Sequence, residues 1–336
     1  MIPPTDTAAP AAAAPTTRRR GTGAGSTVGL AGLLIVILLG QPYLAGLFTS
    51  AALQTWSTVF VAVCVQALPF LVLGVLVSGA IAVFVPPAFF ARALPGNPLA
   101  AVPVAGVAGA LLPGCECGSV PVASGLMARG VAPAAALAFL LSAPAINPVV
   151  VVATAVAFPG HPEMVVARFV ASLAAAVVVG WIWARVGRAD WMASPRRPDV
   201  SGMGRIEAFR VTFSHDFLQA GGFLVVGGLA AATLNVLVPQ RVLNSVAQHQ
   251  WLAVGALALL AVLLAICSEA DAFVAASLGQ FSLTARLAFL VVGPMVDVKL
   301  ISLQAGTFGR RFAVRFAPLT FVVAVAAAVL VGGWLL

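Results

Sequence analysis

The sequence predicts an all-α polytopic membrane protein built from two inverted repeats with broken or re-entrant helices. Three observations carry this expectation. Hydrophobic residues make up 61% of the 336 and charged residues only 8%, with a mean hydropathy of +1.08, whereas a soluble globular chain carries about 25% charged residues. Several apolar runs exceed the roughly 18 residues that mark a membrane helix. Some of these runs are interrupted by proline and glycine beside ionisable side chains, which at membrane depth is tolerated only where the backbone is buried in protein or lines a cavity. The net charge of +8 does not point to nucleic acid. The arginines sit in loops beside the spans, which is the positive-inside pattern and not a basic binding face. The cysteines, Cys64, Cys115, Cys117 and Cys267, lack the small loop-rich setting of a secreted disulfide framework, so they are read as reduced thiols.

Residues 1–27, rich in Ala, Pro, Thr and Gly and ending near Arg18, Arg19 and Arg20, lack the apolar content to fold and are expected to form a disordered cytoplasmic arm. Residues 28–50 are longer than a signal-peptide core and are assigned to a first transmembrane helix. Residues 55–85 form a long apolar run with Pro69 inside, and residues 98–112 a run of only 15. At 1.5 Å per residue that is about 22 Å, short of the roughly 30 Å hydrocarbon core. Residues 117–128 are shorter still, so the pair forms either a re-entrant hairpin or two distorted crossings, each returning to the side it left. Residues 133–158, broken at Pro144 and Pro148, and residues 164–184 complete a permease-like first repeat over 55–187. Arg185, Arg188, Arg196, Arg197, Arg205 and Arg210 mark residues 188–215 as a cytoplasmic loop. The second repeat, 216–336, has apolar runs at 217–238, 251–266, 287–303 and 312–336.

The repeat is legible in matched anchors. Leu137, Pro144 and Asn147 stand 150 residues before Leu287, Pro294 and Asp297. The segment from Gln66 to Gly74 resembles that from Gln219 to Gly227, and Arg168-Phe169 echoes Arg315-Phe316. Cys267 falls opposite Cys115 or Cys117, depending on a two-residue gap. With the first copy entering from outside and the second from the cytoplasm, the copies are inverted, and broken helices in inverted repeats are a secondary-transporter signature.

The chemistry concentrates at Pro113-Gly114-Cys115-Glu116-Cys117-Gly118-Ser119-Val120-Pro121. Pro113, Gly114, Gly118, Pro121, Pro144, Pro148 and Pro294 are expected to be structural breaks, since proline removes a donor and glycine loosens the backbone. Two thiols one residue apart can close on a soft ion such as Zn²⁺, Cu⁺ or trivalent arsenic, and Cys267 joins them by the repeat. Cysteine is also an ordinary small core residue, the reading kept for Cys64. Glu116, Glu269, Asp271 and Asp297 are acids at membrane depth, each able to bind a cation, carry a coupling proton or pair with a base. For Asp297 the structural alternative is an ion pair with Lys299 or Arg286. For Glu269, Asp271 and Asn147 it is helix capping. Ser119 is counted with the substrate-binding residues. His161, His215 and His249 lie at span ends, where interfacial placement is the simpler reading.

Residues 113–123, followed by Leu137-Ala138-Phe139-Leu140 and a proline-plus-asparagine break, resemble the bacterial permease family of YraQ and YcgR, to which the organoarsenical efflux permease ArsP is related. The likeness covers roughly residues 55–336. The ArsP branch resembles Cys-Ser-Cys at this site, where this chain has Cys115-Glu116-Cys117, so the YcgR-like branch is the closer match. The resemblance implies a multi-pass protein of the bacterial inner or plasma membrane, and the arginines at 18–20 are expected to hold its N-terminus in the cytoplasm. It also implies a permease that works with a separate membrane-anchored partner.

The function expected is a permease, not an enzyme, moving a small thiophilic solute, a metal ion or trivalent metalloid compound. Cys115, Cys117 and Cys267 would be its metal ligands, no cofactor is called for, and the other partners are the lipid bilayer and no nucleic acid. The rivals are a membrane thiol oxidoreductase using the Cys-x-Cys pair and a non-transporting membrane subunit. The sequence has no Gly-x-x-x-x-Gly-Lys-Ser/Thr loop, so ATP drive would need a partner.

Overall fold

A computed structural model describes residues 51–112, 115–193, 200, 202–237 and 250–336, all of which fall in one compact unit, Pro42–Leu336. The expected arm and first helix, together with Pro113, Gly114, Arg196, Arg197 and His249, lie outside the described residues. Every regular element among the described residues is helical. Five helices there are long and apolar enough to cross a membrane.

Helix α1, Ala51–Phe84, runs through Pro69 for 34 residues, about 51 Å at 1.5 Å per residue, longer than a hydrocarbon core. It packs along α8, Arg205–Leu237. The stretch 188–215 expected as a loop is therefore helical from Arg205. Polar residues there continue the apolar run behind them, which the hydropathy pattern alone does not reveal. After the short α2, Pro87–Ala93, Asn97 opens α3, Pro98–Ala108, by accepting from Leu99 N at 3.0 Å. A tight turn, Gly109–Leu111, ends it, and α4 follows as Glu116–Ala128. Leu94, Pro95 and Gly96 before α3 line the same cavity, about 410 Å³, as Arg129 and Gly130 after α4. The chain thus returns near to where it left, as both a re-entrant hairpin and two distorted crossings would have it.

Helices α3 and α4 both pack on α5, Pro133–Ile146. Helices α6, Pro148–Ala157, and α7, Glu163–Val186, complete the first half. The second half repeats this order. Helices α9, Gln250–Leu264, and α10, Ser268–Ser277, pack on α11, Leu283–Val292. Helices α12, Val298–Phe308, and α13, Arg310–Leu335, follow. Helix α5 lies on α7 as α11 lies on α13, and α7 and α13 meet. The halves also exchange contacts, with α6 docked on α10 and α12 on α4. The α5–α6 pair is the interior of the fold. Of its most apolar window 78% is buried, against 28% for the windows of α1 and α13.

Not every expected break is one. The chain turns at residues 293–295, around Pro294, and restarts where Asp297 caps α12 through Leu300 N. It breaks likewise at Asn147, whose Oδ1 accepts from Val150 N at 3.0 Å, with Pro148 as the first residue of α6. Pro144, however, lies inside α5. Asn147 Nδ2 donates to Ala143 O at 3.1 Å and closes the last turn of that helix. Gly118 and Pro121 lie inside α4. There, packing against α1, α5 and α12 outweighs their poor helix propensity. Gly118 is a crossing point instead. A Cβ there would stand 2.8 Å from Phe70 O, so only glycine admits α1 this closely.

Candidate functional site

The two half-helix tips meet. Cys115 is the residue before α4 and Cys267 the residue before α10, both in extended backbone and neither capping its helix with its own side chain. The thiols of Cys117 and Cys267 both act on that of Cys115. The Sγ atoms of Cys115 and Cys117 and a Glu116 carboxylate oxygen all lie within 4.8 Å of one another. Cys115, Glu116, Cys117 and Cys267 are each at most 1% exposed. Two helix N-termini converge here, and their free N–H groups favour negative charge or an electron-rich ligand.

Lys299, in the first turn of α12, enters the same cluster. Its Nζ lies 2.8 Å from Glu116 Oε1 and 3.5 Å from Asp297 Oδ2, with all three side chains sealed from solvent. Asp297 thus caps α12 and faces the ammonium at once. The ion pair weighed for Asp297 is present, but Lys299 gives its shorter contact to Glu116. Arg286, the other base considered, donates to Phe281 O and Gly279 O. Close helix approach brings Lys299 here. A Cβ on Gly227 of α8 would stand 2.7 Å from Lys299 Cα.

A second polar group adjoins the first on α10. Arg168 of α7, 2% exposed, donates from Nη1 to Thr154 Oγ1 at 2.7 Å and from Nη2 to Ser268 O at 3.0 Å. Asp271 and Glu269 are the charges that act on it. Both carboxylate oxygens of Glu269, Oδ2 of Asp271, Oε2 of Glu116 and Oδ2 of Asp297 are buried without a hydrogen-bond partner. Four acids therefore share two buried bases, Arg168 and Lys299. Desolvated carboxylates without partners are costly, and a bound cation or protons would balance them.

The structure thus brings together Cys115, Glu116, Cys117, Cys267 and Asp297. Glu269 and Asp271 face Arg168 beside that group. Two expected site residues bond locally instead. Ser119 Oγ donates to Glu116 O at 2.9 Å, and Asn147 closes α5 and opens α6. Cys64 is half-buried and packs toward Gly228 of α8. His161 pairs with Glu163 at 2.8 Å and His215 with Asp216 at 3.3 Å. Sequence reasoning missed Arg168, Thr154 and Ser268 as members of the site. Arg168 had a signal, a charge inside an apolar span, which marks function by default.

The family model described as a predicted permease, ArsP_1, matches residues 52–333. Among curated proteins, YcgR of Bacillus subtilis (strain 168), named a UPF0718 protein, is 32% identical over 82% of this chain and 97% of its own length. A Streptococcus mutans protein named as a two-component membrane permease complex subunit is 30% identical over 82% of this chain and 94% of its own. No solved structure matches the chain.

Proposed function

The chain is a multi-pass membrane protein belonging to the ArsP_1 family of predicted permeases, and from that premise we propose that it is a secondary permease for a small thiophilic solute. The solute, a metal ion or trivalent metalloid compound, is held by Cys115, Cys117 and Cys267, with Glu116 and Asp297 beside them. The observation that carries this reading is the cluster of two buried thiols and a carboxylate at the start of α4, with the buried Cys267 thiol before α10, in the other half of the chain, acting on Cys115. Soft thiolates select Zn²⁺, Cu⁺ or trivalent arsenic over hard ions, and binding releases the thiol protons.

We read the two halves as inverted repeats with the site near the membrane midplane. The reciprocal docking of α6 on α10 and α12 on α4 supports this. Rocking of one half against the other then exposes the site to each side in turn. A second membrane protein is the proposed partner, on the strength of the Streptococcus mutans relative's name. A thiol oxidoreductase is the second reading, because the Cys115 and Cys117 thiols lie within 4.8 Å of one another. Alkylation and mass spectrometry of native protein separate the two, since a redox pair cycles through a disulfide and a transport site need not.

The decisive experiment is uptake of Cd²⁺ and of arsenite into vesicles carrying the purified protein, alone and with a candidate partner. Cys115→Ser with Cys117→Ser is expected to abolish uptake while the protein still inserts and elutes as a single species. Full transport by that double variant overturns the reading.

A further inference from the structure

We propose that Lys299 is a tethered stand-in for the substrate, and that the substrate is therefore a cation. The ammonium occupies the carboxylates of the empty site and is displaced when the substrate enters. This rests on the transport reading above and narrows it, since a neutral metalloid compound has no reason to compete with an ammonium.

Three observations carry it. Lys299 is the only lysine of the chain, against 17 arginines. Its Nζ sits between Glu116 at 2.8 Å and Asp297 at 3.5 Å, 1% exposed, and Glu116 is itself grouped with the Cys115 and Cys117 thiols. The two buried cations also hold the two tips differently. Arg168 grips the first residue of α10, Ser268, through its backbone carbonyl, which an incoming cation does not compete for. Lys299 grips the first residue of α4, Glu116, through its carboxylate, which an incoming cation does compete for.

The choice of residue fits the role. Arginine presents a rigid fork that locks a carboxylate through two bonds, whereas lysine is a compact point charge on a flexible stem. A stand-in must leave easily and find another partner nearby, and Asp297 supplies one. With the ammonium on Glu116 the unloaded site keeps a balancing positive charge. With the substrate on Glu116 and the thiols, the ammonium swings to Asp297. The buried charge of the α4 tip stays compensated in both states, so the empty carrier can return without carrying bare carboxylates through the closed form.

The test is Cd²⁺ titration of the purified full chain in detergent, read by the near-ultraviolet sulfur-to-Cd²⁺ charge-transfer band. Lys299→Met removes the competitor and is expected to bind Cd²⁺ at least tenfold tighter than wild type. Lys299→Arg replaces it with one harder to displace and is expected to bind at least threefold weaker. A merely structural lysine would move both variants the same way, and that result overturns the proposal. A pair of variants guards against misfolding of Lys299→Met. Glu116→Gln leaves Lys299 to repel the metal and is expected to bind weakly, and adding Lys299→Met should recover at least tenfold. No recovery overturns the stand-in role. If wild type binds Cd²⁺ through its thiols but the variants do not follow this order, only this inference falls. If wild type shows no thiol-to-metal band, the transport site falls with it.

Discussion

Arg168→Met is the substitution whose cost the structure sets most directly. The guanidinium makes two buried hydrogen bonds, to Thr154 Oγ1 at 2.7 Å and to Ser268 O at 3.0 Å, and it faces Asp271 and Glu269. A hydrogen bond from a charged donor contributes about 1.5–3 kcal/mol, so the two together give about 3–6 kcal/mol. Removing one member of a buried charged group costs about 3–5 kcal/mol, because the opposite charge is left unpaired. Both routes give the same scale, and we predict a loss of about 3–5 kcal/mol. The assay is reversible unfolding in mixed micelles of rising denaturing-detergent fraction. Arg168→Lys keeps the charge but cannot reach both oxygens in the fork geometry, and should lose roughly half as much. Asp271→Asn added to Arg168→Met removes one stranded carboxylate and should recover part of the loss, because residues in one network are not additive. A loss below about 1 kcal/mol for Arg168→Met, the net value of an ordinary hydrogen bond, would refute the idea that this cation is what holds α10 to α6 and α7.

Other expectations follow from named contacts. Gly227→Ala places a Cβ 2.7 Å from Lys299 Cα and should cost about 1–3 kcal/mol by overpacking in the same micelle assay, whereas Gly222→Ala, which meets nothing within 4 Å, should be close to neutral. Cys64→Ser should leave Cd²⁺ uptake within twofold of wild type, and a collapse of uptake would show that the thiol set is wrongly drawn. In a background without native thiols, single cysteines at Asp190 and Gly160 should label from opposite sides, Asp190 from the cytoplasm by the positive-inside rule; labelling of Asp190 from outside intact cells reverses the orientation. An experimental structure should superpose residues 55–187 on 216–336 by a rotation of about 180° about an axis in the membrane plane, and an axis along the membrane normal would rule out inversion.

Much of the architecture was legible because apolar run length and proline placement speak directly about membrane helices. The short runs at 98–112 and 117–128 are α3 and α4, and the polar residues after Pro144 and Pro294 cap α6 and α12. What misled was local propensity taken alone. Gly118, Pro121 and Pro144 look like breakers, yet they sit inside helices whose neighbours hold them. The candidate site was half legible. Cys115, Glu116 and Cys117 announce themselves by spacing, and Cys267 by repetition. The partners of the acids did not, because a sequence does not say which helix face meets which. Lys299 stands 183 positions from Glu116 and Arg168 stands 100 from Ser268. Thr154 matters only as an acceptor for Arg168, a role that no local pattern encodes.

The sealing of the three thiols has a kinetic consequence. Cys115, Cys117 and Cys267 are at most 1% exposed, so a water-soluble alkylating reagent meets them only after the protein opens. When opening and reclosing are fast beside the chemistry, the modification rate follows the open population. When reagent is abundant and capture outruns reclosing, the rate becomes the opening rate itself. The native cysteines are thus a built-in clock for any opening of the site, the proposed transport motion included. Reagent applied from one face at a time would measure how long the pathway stands open to each side.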